Sequence, residues 1–248
     1  MRLTDVALPL RSWTRNVPAE EALTLLDLAE PGRALADWEA ASEEALTHED
    51  RTYRRTLTRL VARMFLDIEE DVIQDSGFLR LLRDGPDRRR GDLLSVRYAL
   101  AHLWPLEAAR QVVRPALAGT EEAEVSISEW DGFVARLIED EASAGSRRKT
   151  RSTVIGALVS LGVAQRAAAA TGPVRLVPGR PDPLAFGWAL TEQVAGELRD
   201  GCPAAWAATD SDAAVLFGVT ADYAEACIRA TVAKGLLIVE GDQLVLPA

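Results

Sequence analysis

The chain has few of the residues that build disulfides and metal sites. Its 248 residues include only two cysteines, Cys202 and Cys227, and two histidines, His48 and His102. Two cysteines cannot form a disulfide framework, and these four residues show no spacing typical of a zinc site. A single Cys202–Cys227 disulfide would require an oxidising compartment. We therefore expect no metal ligands and no cofactor.

Long hydrophobic runs are absent from the sequence as well. No stretch of about 18 consecutive apolar residues occurs. The N-terminal segment MRLTDVALPLRSW lacks the apolar core of a signal peptide. We therefore expect a soluble, cytoplasmic protein with no membrane contact. Hydrophobic residues make up 48% of the chain, which is enough to build the core of one or two domains.

Recognisable catalytic motifs are also missing. The sequence has no phosphate-binding GK[ST] loop, no GxGxxG and no nucleophile elbow. The acidic run at residues 69–71 is typical of a solvated helix, because adjacent side chains on a helix point in different directions. We expect no catalytic residues and no enzymatic activity.

The charge that is present is distributed unevenly. The chain has 38 acidic and 28 basic residues and a formal net charge of −10, yet residues 146–180 contain no acidic residue. The basic residues of this segment are Arg147, Arg148, Lys149, Arg151, Arg166, Arg175 and Arg180. Cations at a helix start oppose the helix dipole, so helix stability does not explain the first four. The cluster indicates a nucleic-acid interface; a solvated basic face and pairing with the acidic remainder are the alternatives.

The order of elements around this cluster predicts how it is used. A helix that becomes apolar after residue 153 ends at Gly162 and is followed by two β-like runs, residues 163–166 and 174–177. Ser128 followed by Asp131 predicts the N-cap of the preceding helix. This order is typical of a winged helix-turn-helix, in which one helix enters the DNA major groove and the hairpin lies near the phosphates.

The predicted interface with double-stranded DNA combines this helix and hairpin. Arg147, Arg148, Lys149 and Arg151 supply the positive charge, and Ser152 supplies a hydroxyl group to a phosphate. Arg175 or Arg180 supplies the contact from the hairpin.

The same order recurs at the C-terminal end of the chain. Helices are predicted near residues 183–200, 211–218 and 221–235, followed by a hairpin that turns at Gly241–Asp242. Superposing Gly162 on Gly235 aligns IGALVSLGV with IRATVAKGL. From residue 182 onward the chain has ten acidic and three basic residues, a net charge of −7.

This acidic charge predicts a different role for the C-terminal module. Asp222 and Glu225 stand where a groove-reading helix has Arg, Asn or Gln. We expect the module to contact other proteins or to form a homodimer; the alternative is a folded domain with an acidic surface.

The N-terminal part predicts helices over residues 18–30, 34–46 and 51–68, and another short helix from Glu69 to Gly85. The third helix carries a stripe of arginines at every fourth position, Arg51, Arg55, Arg59 and Arg63. Two interpretations stay open for this stripe: a phosphate-contact face, or a surface paired with acidic neighbours such as Glu43, Glu44, Glu49 and Asp50. The segment GPDRRRGD, which contains Arg88, Arg89 and Arg90, predicts a loop.

The predicted fold is mainly α, a helical bundle with two winged-helix-turn-helix-like modules that each end in a short β-hairpin. The predicted domains are an N-terminal helical region (1–90), a basic module (91–180) and an acidic C-terminal module (181–248).

Three stretches resemble the BrxA family of bacteriophage-exclusion (BREX) defence systems. They are DRTYRRTLTRLVARMF followed by FLRLLRDG; DLLSVRYALAHLWPLEAARQVVRP; and the junction of ISEWDGFVARLIEDEA with SRRKTRSTVIGALVSLGVAQ. The junction is similar to the family's aromatic-containing helix followed by a Ser/Thr-Arg-Arg-Lys helix and a closing glycine. The likeness covers about residues 20–180.

The resemblance implies a small, mainly helical, non-enzymatic DNA-binding component of a phage-defence system that works beside a methyltransferase, an ATPase and other defence proteins. Its DNA-binding residues are then Arg147, Arg148, Lys149 and Arg151, and less directly Arg54, Arg55 and Arg59. The acidic C-terminal module is more extensive than the family pattern and favours an adaptor that binds DNA at its centre and protein at its end.

Two other functions are compatible with the same sequence. A transcriptional regulator of the winged-helix type would prefer one operator, especially a palindrome bound by a dimer. A protein-binding scaffold would use the basic segment to bind an acidic partner and would not contact DNA.

Overall fold

The computed structural model describes residues 18–102, 104–138, 143–166, 172–196 and 201–247. These residues fall into two compact units, one within Asn16–Ala101 and one within His102–Ala248. Both units are mainly helical and carry small antiparallel sheets, which confirms the predicted class.

The first unit packs five helices with one hairpin. Its elements are α1 (Ala19–Asp27), α2 (Leu35–Ala45), α3 (Arg51–Phe65), β1 (Ile68–Glu69), β2 (Val72–Ile73), α4 (Gly77–Arg83) and α5 (Asp87–His102). The buried Trp38 indole N–H donates to the Leu25 carbonyl at 3.0 Å, which joins α2 to α1. The Asp50 carboxylate caps α3 and accepts from the Thr52 N–H at 2.7 Å. The first three predicted helices are thereby confirmed.

Residues 68–73 form a hairpin where the sequence predicts the beginning of a helix. Ile68 pairs with Ile73, and Glu69 with Val72. The prediction was wrong because the two turn residues have positive φ, 49° at Glu70 and 59° at Asp71, without the Gly or Asn that normally signals such a turn. Tertiary contacts hold it instead, since the Asp71 carbonyl accepts from the Leu35 N–H at 2.8 Å.

The strained turn gives a stability prediction. Left-handed backbone costs a non-glycine residue about 1 kcal/mol or more, so the double variant Glu70→Asn, Asp71→Gly should raise the free energy of unfolding by about 1 kcal/mol. Urea unfolding followed by circular dichroism measures this change. Glu69→Gly, in the adjoining strand and without positive φ, should lower the midpoint and serves as the control. An unchanged midpoint in the double variant contradicts the prediction.

The predicted loop around Arg88–Arg90 is wrong. Helix α5 begins at Asp87, and the Arg90 N–H donates to the Pro86 carbonyl at 3.1 Å. Proline suits a helix start because its φ is already helical and its missing N–H has no partner there. The Arg90 guanidinium lies 2.5 Å from an Asp27 carboxylate oxygen, so it supports this unit.

The second unit begins with one set of helices around a three-stranded sheet. Its elements are α6 (Trp104–Ala108), a π-helical turn (Ala109–Val113), α7 (Arg114–Ala116), β3 (Ala123–Val125), α8 (Ile127–Leu137), α9 (Ala144–Ser160), β4 (Ala164–Gln165) and β5 (Val174–Leu176). The strand order is β3-β5-β4, with β5 antiparallel to both neighbours. Trp130, Phe133, Val154 and Leu158 are fully buried and join α8 and α9 to this core.

The N-cap of α8 is Ser126 and not the predicted Ser128. The Ser126 hydroxyl accepts from the Glu129 N–H at 3.2 Å, and the Glu129 carboxylate accepts from the Ser126 N–H at 2.8 Å. The sequence offers two overlapping cap patterns two residues apart, and the one with glutamate at the fourth position forms the reciprocal capping box. The Ser126 hydroxyl also donates to the Glu129 carboxylate at 2.7 Å and lowers the pKa of Glu129, and the Ser126 N–H adds to this effect. Asp131 takes no part in this capping box.

The C-terminal part of the second unit has a similar order of elements, with three helices instead of two between its first strand and its hairpin in the described residues. It contains α10 (Pro183–Gly196), β6 (Cys202–Pro203), α11 (Ala204–Thr209), α12 (Asp212–Phe217), α13 (Ala221–Ala233), β7 (Ile238–Glu240) and β8 (Gln243–Val245). Its strand order, β6-β8-β7, matches the first sheet, with the last strand in the centre. The predicted helices and the hairpin turn at Gly241–Asp242 are found; α11 and β6 were not predicted.

The two superposed glycines close their helices in the same way. Gly162 has φ 73° and Gly235 has φ 76°, the left-handed conformation that ends a helix. The next N–H in each case donates back across the turn, from Val163 to Leu158 at 3.0 Å and from Leu236 to Thr231 at 3.1 Å. The alignment made from the sequence therefore describes two equivalent helix ends.

The elements on either side of residue 180 belong to one compact unit. The Arg114 guanidinium lies 2.6 Å from an Asp210 carboxylate oxygen, and Arg110 pairs with Asp212. The pKa of Asp210 is lowered, first by the Thr209 hydroxyl and then by Arg114. Two acidic groups of the C-terminal part thus have partners within the same unit.

Both cysteines are buried and have free thiols. Burial raises the pKa of Cys227 to about 12, with the Asp182 charge adding to the effect, and burial also raises the pKa of Cys202. Thiolate is the reactive form, so we expect neither thiol to react with a chromogenic disulfide reagent at pH 8 until the protein unfolds, when both react. Because the folded pKa values are raised, stability should fall as the pH rises above the ordinary thiol range. Rapid reaction of one thiol in the native protein contradicts this.

Candidate nucleic-acid interface

Helix α9 is fixed in the second unit by its cap and its apolar side. Ser143 is the N-cap, and its hydroxyl accepts from the Ser146 N–H at 3.1 Å. Val154, Leu158 and Leu161 recur at helical spacing and are buried. The opposite side of the helix is therefore presented to solvent.

The solvent side of α9 combines two cations with small residues. We define the α9 face as Gly145, Arg148, Lys149, Ser152, Gly156 and Val159, which share one side of the helix at three- and four-residue spacings. Gly145, Ser152 and Gly156 have no side chain or a short one, so little projects from these positions of the helix itself. A flat helix surface of this kind permits close approach to a groove or a phosphate backbone.

Arg148 and Lys149 are exposed, and within the described residues neither side chain forms an ion pair. Other arginines do find carboxylates: Arg97, Arg114 and Arg151 each lie within 2.7 Å of a carboxylate oxygen. In a chain with net charge −10, two neighbouring exposed cations that have no carboxylate partner among the described residues form a local site of positive charge.

Two of the predicted contact residues point elsewhere on α9. The Arg151 guanidinium is 17% exposed and lies 2.6 Å from both carboxylate oxygens of Asp131. This ion pair joins α9 to α8, so Arg151 orients the helix. Arg147 is half-buried and lies on the side of the helix that faces the core. Ser152 lies on the α9 face.

Arg166 joins the α9 face, although the sequence assigned it no contact. It follows β4, and its Nη2 donates to the Ser152 carbonyl at 3.0 Å. The same nitrogen lies 3.1 Å from the position that a Cβ on Gly156 would occupy. The guanidinium therefore lies across the middle of the α9 face, and the missing side chain of Gly156 makes room for it.

Arg175 and Arg180, the predicted contacts from the hairpin, are not part of the α9 face. Arg175 lies in the central strand β5, where its guanidinium bonds the Glu122 carboxylate and its Cα pairs with Glu124 and Gln165. Arg180 is exposed in the segment before α10. The tip of the predicted wing, residues 167–171, lies outside the described residues.

The arginine stripe of α3 is divided between the two interpretations. Arg55 lies 3.2 Å from the Glu43 carboxylate and Arg51 lies 4.0 Å from it, as the pairing interpretation predicts. Arg54 is half-buried and donates to the Leu46 carbonyl at 3.4 Å. Arg59 and Arg63 are exposed and, in the described part of the chain, form no ion pair.

The face of α13 equivalent to the α9 face carries the opposite charge. In the alignment of the two closing glycines, Asp222 stands in place of Lys149, Glu225 in place of Ser152 and Arg229 in place of Gly156. Glu225 and Arg229 form an ion pair at 3.7 Å, so the only arginine here is neutralised on its own helix. The two repeats thus present different surfaces on the same architecture.

No helix in the described residues is both long and apolar enough to cross a membrane. Within the same residues, no three His, Cys, Asp or Glu side chains lie close enough together to hold a metal ion. The sequence matches no protein-family model, and comparisons with curated proteins and with solved structures give no match.

Proposed function

We propose that this protein is a non-enzymatic double-stranded DNA-binding protein that contacts phosphates through the α9 face. The observation that carries the proposal is the pair Arg148 and Lys149, exposed and without ion-pair partners in the described residues of a strongly acidic chain. Phosphate contacts by Lys and Arg provide most of the sequence-independent affinity of DNA-binding proteins.

The architecture supports this role for α9. Each repeat of the second unit has a helix, a strand, further helices and a hairpin, with the last strand in the centre of the sheet. We interpret both repeats as winged helix-turn-helix modules. In such a module α9 is the recognition helix, and its N-terminal residues, which include Arg148 and Lys149, are those that approach DNA.

The negative charge of the second repeat supports a different binding partner for each repeat. Its α13 face, with Asp222 and Glu225, repels phosphate and suits contact with a protein. We propose that this acidic module binds other defence proteins or a second copy of the chain, while the α9 face binds DNA.

Fluorescence anisotropy of a labelled duplex of arbitrary sequence tests the DNA proposal. Protein is titrated at several salt concentrations between about 50 and 200 mM, a range over which phosphate-dominated binding weakens steeply. With two or three phosphate contacts, the slope of log K against log[salt] should be about −2 to −3.

Each outcome of the titration decides between the candidate functions. Salt-sensitive binding to any duplex supports the proposal. Binding to one palindromic sequence alone favours the transcriptional regulator. Absence of binding at the lowest salt overturns the phosphate-contact model and leaves the protein-binding scaffold, which should then self-associate at low salt and dissociate at high salt.

We also propose that the protein works in a phage-defence system of the BREX type. This part rests on the resemblance of the three stretches to the BrxA family, the basic start of α9 among them. Deleting the coding sequence from a host that carries the complete system should raise the plating efficiency of a restricted phage. If the host restricts the phage equally well after the deletion, this assignment is overturned. The DNA-binding proposal is not affected by that result, because the anisotropy measurement tests it.

A further inference from the structure

Arg166 occupies an unusual position for a residue of the hairpin. Its chain position is directly after β4, yet its guanidinium lies on α9, bonded to the Ser152 carbonyl at 3.0 Å. It is exposed, so solvent reaches the part of the guanidinium that does not face Ser152. Within the described residues it forms no ion pair.

We propose that Arg166 is the base-reading residue of this interface and that it recognises guanine in the major groove. The inference rests on the proposed DNA-binding function. The guanidinium has five N–H donors in a planar fork, and one hydrogen bond to Ser152 leaves the others available. Two parallel donors match the O6 and N7 acceptors that guanine presents in the major groove.

The rest of the α9 face explains why such a residue is needed. Arg148 and Lys149 lie near the beginning of the helix, whereas the central positions, Ser152 and Gly156, have side chains too short to reach far from the helix. The N-terminal residues of a recognition helix approach DNA first, and in homeodomains exposed residues further along the helix also contact base edges. Arg166 supplies at this place the long donor that α9 itself lacks.

The anchor on α9 also restricts the guanidinium. The bond to the Ser152 carbonyl and the space left by Gly156 fix where the fork lies before DNA binds. A side chain that is already placed loses less conformational entropy on binding, so more of each base contact appears as affinity. The equivalent position in the second repeat is Val239, which cannot donate a hydrogen bond.

The test separates base reading from phosphate contact. Anisotropy measures binding to a duplex rich in G·C pairs and to the same duplex with 7-deazaguanine, which lacks the N7 acceptor. We expect the unmodified duplex to bind about tenfold more tightly, the discrimination typical of one bidentate arginine contact. Arg166→Ala should abolish this ratio, and Arg166→Lys, which keeps the charge and a donor but loses the planar fork, should reduce it.

Arg136 provides a matched control for Arg166. It is also exposed and also donates to a helix carbonyl, that of Gly132 at 3.2 Å, but it lies on α8. Arg136→Ala should leave the ratio between the two duplexes unchanged. The folding of all three variants is checked by circular dichroism.

The outcomes distinguish this inference from the proposed function. If wild-type protein binds both duplexes equally, Arg166 does not read guanine N7, although DNA binding itself stands. If Arg166→Lys keeps the full ratio, the arginine fork is not the reader and the inference is overturned. If wild-type protein binds neither duplex, the proposed function fails first.

Discussion

Replacing Arg148 and Lys149 by alanine should weaken binding to duplex DNA about 30-fold at moderate salt. Each exposed cation contributes about 1 kcal/mol through a charge-assisted contact with phosphate, and 2 kcal/mol corresponds to this factor. The slope of log K against log[salt] should become less negative by about 2, since about one counterion is released per contact. Titration of a labelled duplex at several salt concentrations gives both quantities.

The change should not affect folding. Both side chains are exposed, and in the described residues neither forms an ion pair that the substitution would break. Alanine also favours a helix and removes two cations from the beginning of α9, where they oppose the helix dipole. The thermal midpoint should therefore stay the same or rise, while affinity for DNA falls.

A matched variant shows whether the loss of DNA affinity comes from the α9 face itself or from the change in net charge. Arg229→Ala, Lys234→Ala removes the same two positive charges from the acidic repeat, where Arg229 is already paired with Glu225. This variant should change the affinity for DNA less than twofold, because distant surface charges are screened at moderate salt. Equal losses in the two variants mean that the protein responds to total charge, and the α9 face is then not the interface.

The helices could be predicted because their signals are local. Apolar residues at helical spacing, together with Gly162 and Gly235 as terminators, indicate α3, α9 and α13 without reference to the rest of the chain. The hairpin at residues 68–73 carries no such signal, because its two turn positions, Glu70 and Asp71, lack the Gly or Asn that normally indicates consecutive left-handed residues. Strands β3 and β6 have two or three residues each, too few for an alternating pattern to be visible.

The candidate site was predicted in part for a similar reason. Clustering of charge identified α9 but treated its basic residues as equivalent. Helical spacing would have separated them, since Arg151 stands three and seven residues before Val154 and Leu158, which are buried. The position of Arg166 could not be obtained in this way, because it depends on how β4 returns past α9.

Gly187→Ala should cause a large loss of stability in the second unit. Helices α10 and α13 cross at Gly187 so closely that a Cβ there would lie 1.9 Å from the Thr231 hydroxyl oxygen and 2.7 Å from its methyl group. Thr231 is fully buried, and its hydroxyl donates to the Cys227 carbonyl at 2.8 Å, so it has no free rotamer. Overpacking of this kind costs about 3 kcal/mol.

Urea unfolding measures the effect, and Gly196→Ala in the same helix is its control. Within the described residues nothing lies within 4 Å of a Cβ built on Gly196, so alanine there should raise stability by about 0.5 kcal/mol through its greater helix propensity. If Gly→Ala lowers the free energy of unfolding at position 187 and raises it at position 196, the loss at position 187 is caused by packing and not by helix propensity. A loss of less than about 1 kcal/mol at Gly187 contradicts the close crossing, since overpacking costs at least that much.

The partner of the clash can be identified by a double-mutant cycle. Thr231→Ala removes the hydroxyl and methyl groups that a Cβ on Gly187 would meet and leaves the Thr231 Cβ at 2.8 Å. The double variant Gly187→Ala, Thr231→Ala should therefore lose less stability than the sum of the two single variants, with a coupling of about 1 kcal/mol or more. If the two losses are additive, the destabilisation comes from a general loosening of the helix pair and not from Thr231.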